Sequence, residues 1–199
     1  KELKNTVHTF DYNNIEQLKY LVIKKNIGVI KMEVGRNNLP NIEFLKSVRK
    51  LSTEKKIVLI FDECTTGFRR NLGGLHLTTG VNPDILLLGK ALGNGYAINA
   101  ILGKKKIMLK AQESFISSTF WTERIGFVAA LKTLELMEKK RSWETICKNG
   151  RYLKAEWQRI AKKNNLQINI KGIDAIISFS FISKNNLLYK NFITILFLF

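Results

Sequence analysis

Two apolar segments, each ending in residues capable of chemistry, constrain the fold of this chain more than any other feature. The first, at 57–70, reads IVLIFDECTTGFRR, and its apolar run ends in Asp62 and Glu63. The second, at 83–103, reads PDILLLGKALGNGYAINAILG, and its apolar run ends just before Lys90. Such continuous runs are typical of strands buried on both faces of a parallel sheet. In these sheets ligands bind beyond the carboxyl ends of the strands, and the acid is predicted to lie at such an end.

Helical and strand patterns alternate along the first half of the chain. Apolar residues recur at helical spacing over 14–25 and 41–53, and short apolar runs at 27–33 and 57–61 predict strands. This order predicts an α/β fold with a parallel sheet. The remaining predicted elements are strands at 85–88 and 97–102, a short helix at 104–112, long helices at 125–140 and from an N-cap at Ser142 to Lys163, and strands at 166–170 and 175–182.

The charge of the chain raises the question of nucleic-acid binding. The 199 residues carry a formal net charge of +17, and basic proteins can bind nucleic acid through its phosphates. The lysines, however, are scattered among Asn and Ile rather than gathered in one stripe, and an AT-rich genome favours the same composition. We therefore predict no nucleic-acid partner and keep a basic nucleic-acid-binding module as a less favoured alternative.

Cysteine and histidine are scarce. Cys64 and Cys147 form no disulfide framework, which favours a reducing, cytoplasmic setting. With only His8 and His76, no metal site is predicted. The N-terminus has no apolar signal segment, and the C-terminal NFITILFLF is too short to span a bilayer, so no membrane partner is predicted.

Asp62 and Lys90 together suit pyridoxal-phosphate chemistry. A carboxylate beside the pyridine nitrogen keeps that nitrogen protonated, and the ring then draws electrons from the substrate. A partly desolvated lysine has a lowered pKa, so its neutral amine can bond to the cofactor and later carry a proton. Taken singly, each residue has a simpler explanation: Asp62 can cap the following turn, and Lys90 can be a solvated side chain.

The residues after Asp62 leave alternatives open. Glu63 is predicted to be structural, either pairing with Arg69 or Arg70 or ordering the loop. Cys64 and His76 could form a Cys/His nucleophile pair, although nothing in the sequence brings them together. Cys64 could instead pack against a cofactor ring.

The two motifs resemble those of the class III aminotransferases, which are fold-type-I pyridoxal-phosphate enzymes, and most closely those of the glutamate-1-semialdehyde aminomutases. The acid motif reads IFDECTTGFR, with Cys64 in place of the usual branched aliphatic residue, and the lysine motif reads PDI…GKALGNGY. The resemblance covers residues 27–182. It implies that Asp62 binds the pyridine nitrogen and that Lys90 forms the Schiff base. It also implies that Cys64 lies against the ring and that Thr119, in SSTFWTERIG, reaches the cofactor phosphate of a neighbouring subunit.

The resemblance also implies an architecture. Residues 1–140 would be the C-terminal part of a cofactor-binding large domain, a mostly parallel sheet with helices on both faces. Residues 141–199 would be a connecting helix and the beginning of a truncated small α+β domain. Family members begin well before this chain and continue beyond it, so we expect a fragment of a longer enzyme.

The expected activity is transamination of an amino acid or amino-aldehyde, or a 2,1-aminomutation, since both reactions use the same lysine and acid. The expected cofactor is pyridoxal 5′-phosphate. The expected partners are a small-molecule amino donor and acceptor and, in the full-length protein, a second identical subunit. The alternative from the same family is an inactive fragment that is stable only with its missing parts.

Overall fold

The order of helices and strands follows the alternating pattern of the sequence. The computed structural model describes residues 6–35, 37, 39, 41–117 and 122–182. The helices are α1 (Ile15–Lys24), α2 (Ile42–Glu54), α3 (Lys105–Met108), α4 (Arg124–Lys140) and α5 (Ser142–Lys163). The strands are β1 (Val29–Glu33), β2 (Val58–Asp62), β3 (Ile85–Leu88), β4 (Ala100–Gly103), β5 (Ile168–Lys171) and β6 (Ser178–Phe181). Single 3-10 turns lie at Leu75–Thr78, Lys90–Leu92 and Leu109–Glu113.

Asparagine caps fix the starts of α1 and α2. The side chain of Asn14 accepts a hydrogen bond from a main-chain N–H in the first turn of α1, and Asn41 does the same for α2. The apolar residues of each helix recur on one side, where α1 buries Leu18 and α2 buries Leu45 and Val48. The helices predicted at 14–25 and 41–53 are confirmed.

Four strands form one sheet in the order β1-β2-β3-β4. The first three run parallel, with Lys31 opposite Ile60 and Glu33 opposite Asp62, whereas β4 returns antiparallel to β3. Parallel neighbours need a crossover, which α2 supplies between β1 and β2 and the loop with the turn Leu75–Thr78 supplies between β2 and β3. The predicted parallel α/β sheet is confirmed, and the carboxyl ends of β1, β2 and β3 share one edge.

The two faces of this sheet differ in burial. Leu59 and Phe61 of β2 are 0% exposed and belong to the core that α1 and α2 cover. On the opposite face Val58, Ile60 and Asp62 are only half-buried. The prediction that this strand is buried on both faces is therefore wrong within the described residues, because both helices pack against the same side of the sheet.

A single residue joins the two long helices. Arg141 adopts the left-handed conformation, with φ 47° and ψ 46°, between α4 and α5. Its Nη2 atom lies 2.6 Å from Glu144 Oε1 in the first turn of α5. Ser142 is consequently the first residue of α5 and not its N-cap, as the sequence had predicted, since the joint leaves no separate residue for capping.

A close approach at Gly150 ties α5 to the segment between β5 and β6. Ile173 in that segment is 2% exposed and packs into the core that also contains Leu59 and Phe61. A Cβ atom at residue 150 would overlap the main-chain oxygen of Asp174. The β5–β6 hairpin is thus anchored through its connecting segment, while the division of the chain into domains at 140/141 stays a prediction.

We expect the Gly150→Ala variant to lose about 1–3 kcal/mol of unfolding free energy, since the added methyl group meets main chain that cannot rotate away. The gain in helix propensity, about 1 kcal/mol, offsets part of this loss. Gly28→Ala is the matched control, because nothing lies within 4 Å of a Cβ there. Urea unfolding checks both variants, and equal stability of the two would contradict the packing described at Asp174.

Candidate active site

The carboxyl ends of β2 and β3 bring the predicted acid and lysine to the same edge of the sheet. Asp62 is the last residue of β2 and lies in register with Leu87 of β3. The next residue, Glu63, donates its N–H to the Leu87 carbonyl at 2.9 Å, which continues the pairing past the strand. Lys90 follows β3 after Gly89 alone. Parallel pairing therefore places both residues in the region where ligands of such sheets bind.

Both carboxylate oxygens of Asp62 have partners. Oδ1 accepts the Cys64 main-chain N–H at 3.2 Å, and Oδ2 lies 2.9 Å from Lys31 Nζ. Burial alone raises the pKa of this carboxyl, but the hydrogen bonds from Lys31 and from the Cys64 N–H outweigh burial and hold the pKa below its ordinary value. Asp62 is therefore ionised at neutral pH, which is the state that a protonated ring nitrogen requires.

Lys90 stands on a strained turn at this edge. Its φ of 42° lies in the left-handed region that residues other than glycine rarely adopt. Its Nζ atom donates a hydrogen bond to Thr65 Oγ1 at 2.6 Å. This hydrogen bond holds the amine against the loop that follows Asp62, so the lysine and the acid belong to one cluster. Strain of this kind is common at functional sites.

Cys64 lies close to both the acid and the lysine. A Cβ atom at Gly89 would come within 3.4 Å of Cys64 Sγ, so the end of β3 touches the loop after β2 at this point. Burial and then the Asp62 charge raise the pKa of the Cys64 thiol, and the cation of Lys90 opposes this rise only in part. A protonated thiol at neutral pH is a packing group rather than a nucleophile.

Glu63 is buried and organises the loop after β2. Its side chain is 0% exposed. The carboxylate accepts hydrogen bonds from Thr66 Oγ1 at 3.1 Å, from the His76 N–H at 2.9 Å and from the Leu75 N–H. Glu63 Oε1 also lies 2.6 Å from His76 Nδ1. Four contacts on one carboxylate satisfy a charge that would otherwise be costly to bury.

The structural role predicted for Glu63 is confirmed: of the two predicted alternatives, Glu63 orders the loop, and the pairing with Arg69 or Arg70 is wrong. The two main-chain N–H groups at the start of a 3-10 turn hold the carboxylate instead, since they are already ordered and cost no side-chain entropy. The alternative pairing of Cys64 with His76 receives no support, because His76 Nδ1 contacts Glu63.

Two polar residues at the site were not predicted. Lys31 interrupts the apolar strand VIKME, and the period-2 alternation of strands places it on the face that carries Glu33 and, in the neighbouring strand, Asp62. That alternation was a usable signal, provided that the register was known. Thr65 carried no such signal, because its contact with Lys90 depends on the shape of a loop.

The fourth predicted site residue, Thr119, lies outside the described residues, so its phosphate contact stays a prediction. Within the described ranges, no group of three or more His, Cys, Asp or Glu side chains could hold a metal ion. No helix in the described part of the chain is both long enough and apolar enough to cross a membrane.

We expect Glu63→Ala to cost at least about 3 kcal/mol of unfolding free energy, because the substitution leaves buried main-chain N–H groups without an acceptor. Glu54→Ala is the control, since Glu54 is exposed and its ion pair with Lys50 is long, at 3.9 Å. The expected cost of this substitution is below about 0.5 kcal/mol. Urea unfolding monitored by circular dichroism measures both. A Glu63→Ala variant as stable as the control would contradict the network.

Sequence comparison relates the chain to known enzymes. Residues 15–196 match the aminotransferase class-III family. The chain is 35% identical over 180 residues to 3-aminobutyryl-CoA aminotransferase of Cloacimonas acidaminovorans (strain Evry), a match that covers 86% of this chain and 44% of that protein. It is 33% identical over 192 residues to glutamate-1-semialdehyde 2,1-aminomutase of Legionella pneumophila (strain Lens), covering 91% and 45% respectively.

Solved structures share the fold. The FumI protein of Sphingopyxis sp. MTA144, in its PLP internal aldimine form, superposes with a TM-score of 0.84 at 25% identity, over 89% of this chain and 45% of that one. Ornithine aminotransferase of Plasmodium yoelii gives a TM-score of 0.75 at 23% identity, over 87% and 48%. The sheet is that of the fold-type-I PLP transferases, and the chain spans less than half the length of these relatives. By its sequence match, this chain belongs to the class III aminotransferase family.

Proposed function

We propose that this chain is the core of a pyridoxal 5′-phosphate-dependent aminotransferase or aminomutase. The observation that carries the proposal is the cluster of an ionised carboxylate, Asp62, and a lysine, Lys90, at one edge of a parallel sheet. Membership in the class III aminotransferase family supports it. The chemistry is assigned to these two residues because Asp62 ends β2 and the Lys90 amine contacts Thr65 in the loop that follows Asp62.

The residues at this edge fit the cofactor. Asp62 offers a carboxylate to the ring nitrogen, Lys90 offers an amine to the aldehyde, and Cys64 offers a polarizable, uncharged surface to the ring. When bound, pyridoxal 5′-phosphate supplies an electron sink for the negative charge that develops at the substrate carbon. We propose Thr119 as a further contact, to the phosphate held by a neighbouring subunit.

Asp62 binds and orients the ring nitrogen in this proposal. Its negative charge keeps the proton on that nitrogen, as an adjacent opposite charge does for any base. The Cys64 N–H holds one carboxylate oxygen in place at 3.2 Å, so the charge is oriented before a ligand arrives. Asp62 thereby prepares the site for electron withdrawal without itself exchanging a proton.

Lys90 has two tasks at its Nζ atom. The amine would hold the cofactor covalently and, as a free amine, would carry a proton from one carbon to another. The left-handed backbone and the hydrogen bond to Thr65 Oγ1 keep Nζ at the loop beside Asp62. Since transamination and aminomutation both need this proton transfer, we propose one or the other of these two activities.

We further infer small-molecule amino donors and acceptors, in line with the names of the relatives.

A homodimer of the full-length protein is supported by apolar side chains on α4: Ile125, Phe127, Val128 and Leu131 are 55%, 56%, 64% and 69% exposed. The proposed domain division at 140/141 coincides with the one-residue joint at Arg141. A cytoplasmic setting suits the two free thiols.

An inactive aminotransferase fragment is the alternative. The chain spans 44% and 45% of the two curated relatives, and groups outside it would contribute to the grip on the cofactor phosphate. If this chain binds the cofactor and the cofactor becomes attached at one lysine, that result would favour a working site over an inactive fragment.

We expect borohydride reduction of the chain with pyridoxal 5′-phosphate to fix the label on Lys90, because that amine is held at the site by Thr65. Peptide mass spectrometry locates the label. The site-specific label is expected to vanish in Lys90→Ala and to persist in Lys132→Ala, whose amine pairs with Glu135 on the surface of α4. Labelling that is spread over many lysines and unchanged in Lys90→Ala would contradict the assignment of Lys90 as the cofactor-binding lysine.

We expect Asp62→Ala to weaken pyridoxal 5′-phosphate binding by about tenfold or more, which is the loss typical of a charge-assisted hydrogen bond. Asp174→Ala is the control, since Asp174 pairs with Arg151 outside the site. Titration of cofactor absorbance measures both affinities. Equal affinities in the two variants would remove Asp62 from the cofactor site.

A further inference from the structure

Lys31 occupies an unusual place in the sheet. It lies in the middle of β1, on the face opposite to the core-facing residues Ile30 and Met32, which are buried. Its side chain is 56% exposed and reaches diagonally across to Asp62, whose own side chain is 24% exposed. The geometry follows from the register: Glu33 is opposite Asp62, and Lys31 is two residues earlier on the same face.

The contact uses the part of Asp62 that a ligand would need. One oxygen, Oδ1, already accepts the Cys64 N–H, so Oδ2 is left for a further cation, and Lys31 Nζ lies 2.9 Å from it. A protonated ring nitrogen seeks the same negative charge. Two cations would then share one carboxylate, and like charges at such distances repel each other.

We propose that Lys31 is the resident counter-ion of Asp62 and competes with the cofactor's ring nitrogen for it. This inference rests on the proposed function of the site. Before the cofactor binds, the ammonium keeps Asp62 ionised and oriented; when the ring nitrogen arrives, the ammonium must leave Oδ2 or share it. Lys31 thus acts on the cofactor through Asp62, as a positioning residue that lowers cofactor affinity and sets the occupancy of the site.

The flexibility of Lys31 makes the displacement possible. A side chain that is 56% exposed can swing into water at little cost, since exposed ion pairs contribute little free energy. Asp62 raises the pKa of the lysine, and Glu33 on the same strand adds a smaller rise. The ammonium therefore remains charged whether or not it contacts Asp62.

The chain offers a matched control in Lys104. Its Nζ atom lies 2.6 Å from Asp84 Oδ1, and the two side chains are 61% and 7% exposed. This pair has the same chemistry as Lys31 with Asp62. Asp84, however, immediately precedes β3, so the pair lies at the amino end of the strand, away from the proposed cofactor site.

The test measures binding of pyridoxine 5′-phosphate, which has the ring nitrogen and the phosphate but no aldehyde to react with Lys90. Calorimetric titration of the whole chain is done with the wild type and with Lys31→Met, Lys31→Arg and Lys104→Met. We expect Lys31→Met to bind about two- to fivefold more tightly, the range set by a partly exposed ion pair. We expect Lys31→Arg, which keeps the charge, and Lys104→Met to match the wild type. Unchanged or weaker binding by Lys31→Met would overturn the competition.

A second measurement needs no cofactor and separates this inference from the proposed function. Carboxyl 13C NMR titration gives the pKa of Asp62 in the ligand-free wild type and in Lys31→Met. We expect a higher pKa in the variant. Burial raises the pKa of Asp62, and the hydrogen bond from Lys31, which is the largest influence that lowers this pKa, is removed. An unchanged pKa would overturn the counter-ion role whatever the probe does. A raised pKa with no probe bound by any variant would instead uphold the counter-ion role and sink the proposed function together with the competition.

Discussion

Parallel pairing of β2 with β3 is the constraint on which the rest of the structure depends. It is fixed at both ends by side chains and main chain outside the strands. At the amino end, Asp84 Oδ2 accepts the Leu59 N–H at 2.8 Å, and at the carboxyl end Glu63 donates its N–H to Leu87 at 2.9 Å. A slip of one residue would turn every side chain of β2 to the other face and would move Asp62 into the core. The position of the candidate site is thus a consequence of strand register.

Adjacent acids at the end of β2 have opposite environments because of that register. Asp62 points to the half-buried face and shares its charge with Lys31, whereas Glu63 is fully buried against Leu75 and His76. Burial without water forces a carboxylate to satisfy its lone pairs within the protein, so Glu63 gives the loop its shape. Partial exposure leaves Asp62 able to exchange one cation for another. The division of labour between the two acids comes from their surroundings rather than from their chemistry.

The sequence predicted those features that depend on local pattern. Apolar runs and their polar ends placed the strands, and the ends of two strands placed Asp62 and Lys90 at one edge before any contact was known. Features that depend on contacts distant in sequence were missed or mistaken. The main-chain N–H groups that hold the Glu63 carboxylate lie 12 and 13 residues further on, and the pairing of Lys31 needs a register between strands that sequence alone does not supply. Ser142 was mistaken for a cap because serine favours that position, although the backbone at Arg141 decides where the helix begins.

The half-buried face of the sheet has an electrostatic consequence as well as a structural one. Asp62 lies in register with Leu87 and, one strand further, with Ile101, which is 61% exposed. Water that reaches these apolar residues also reaches the carboxylate beside them and screens it. A polypeptide segment that covers them would lower the local dielectric constant, and the attraction between Asp62 and a neighbouring cation would strengthen severalfold without any change in distance. Covering this face of the sheet would therefore also strengthen the electrostatic attraction of Asp62 for a cation.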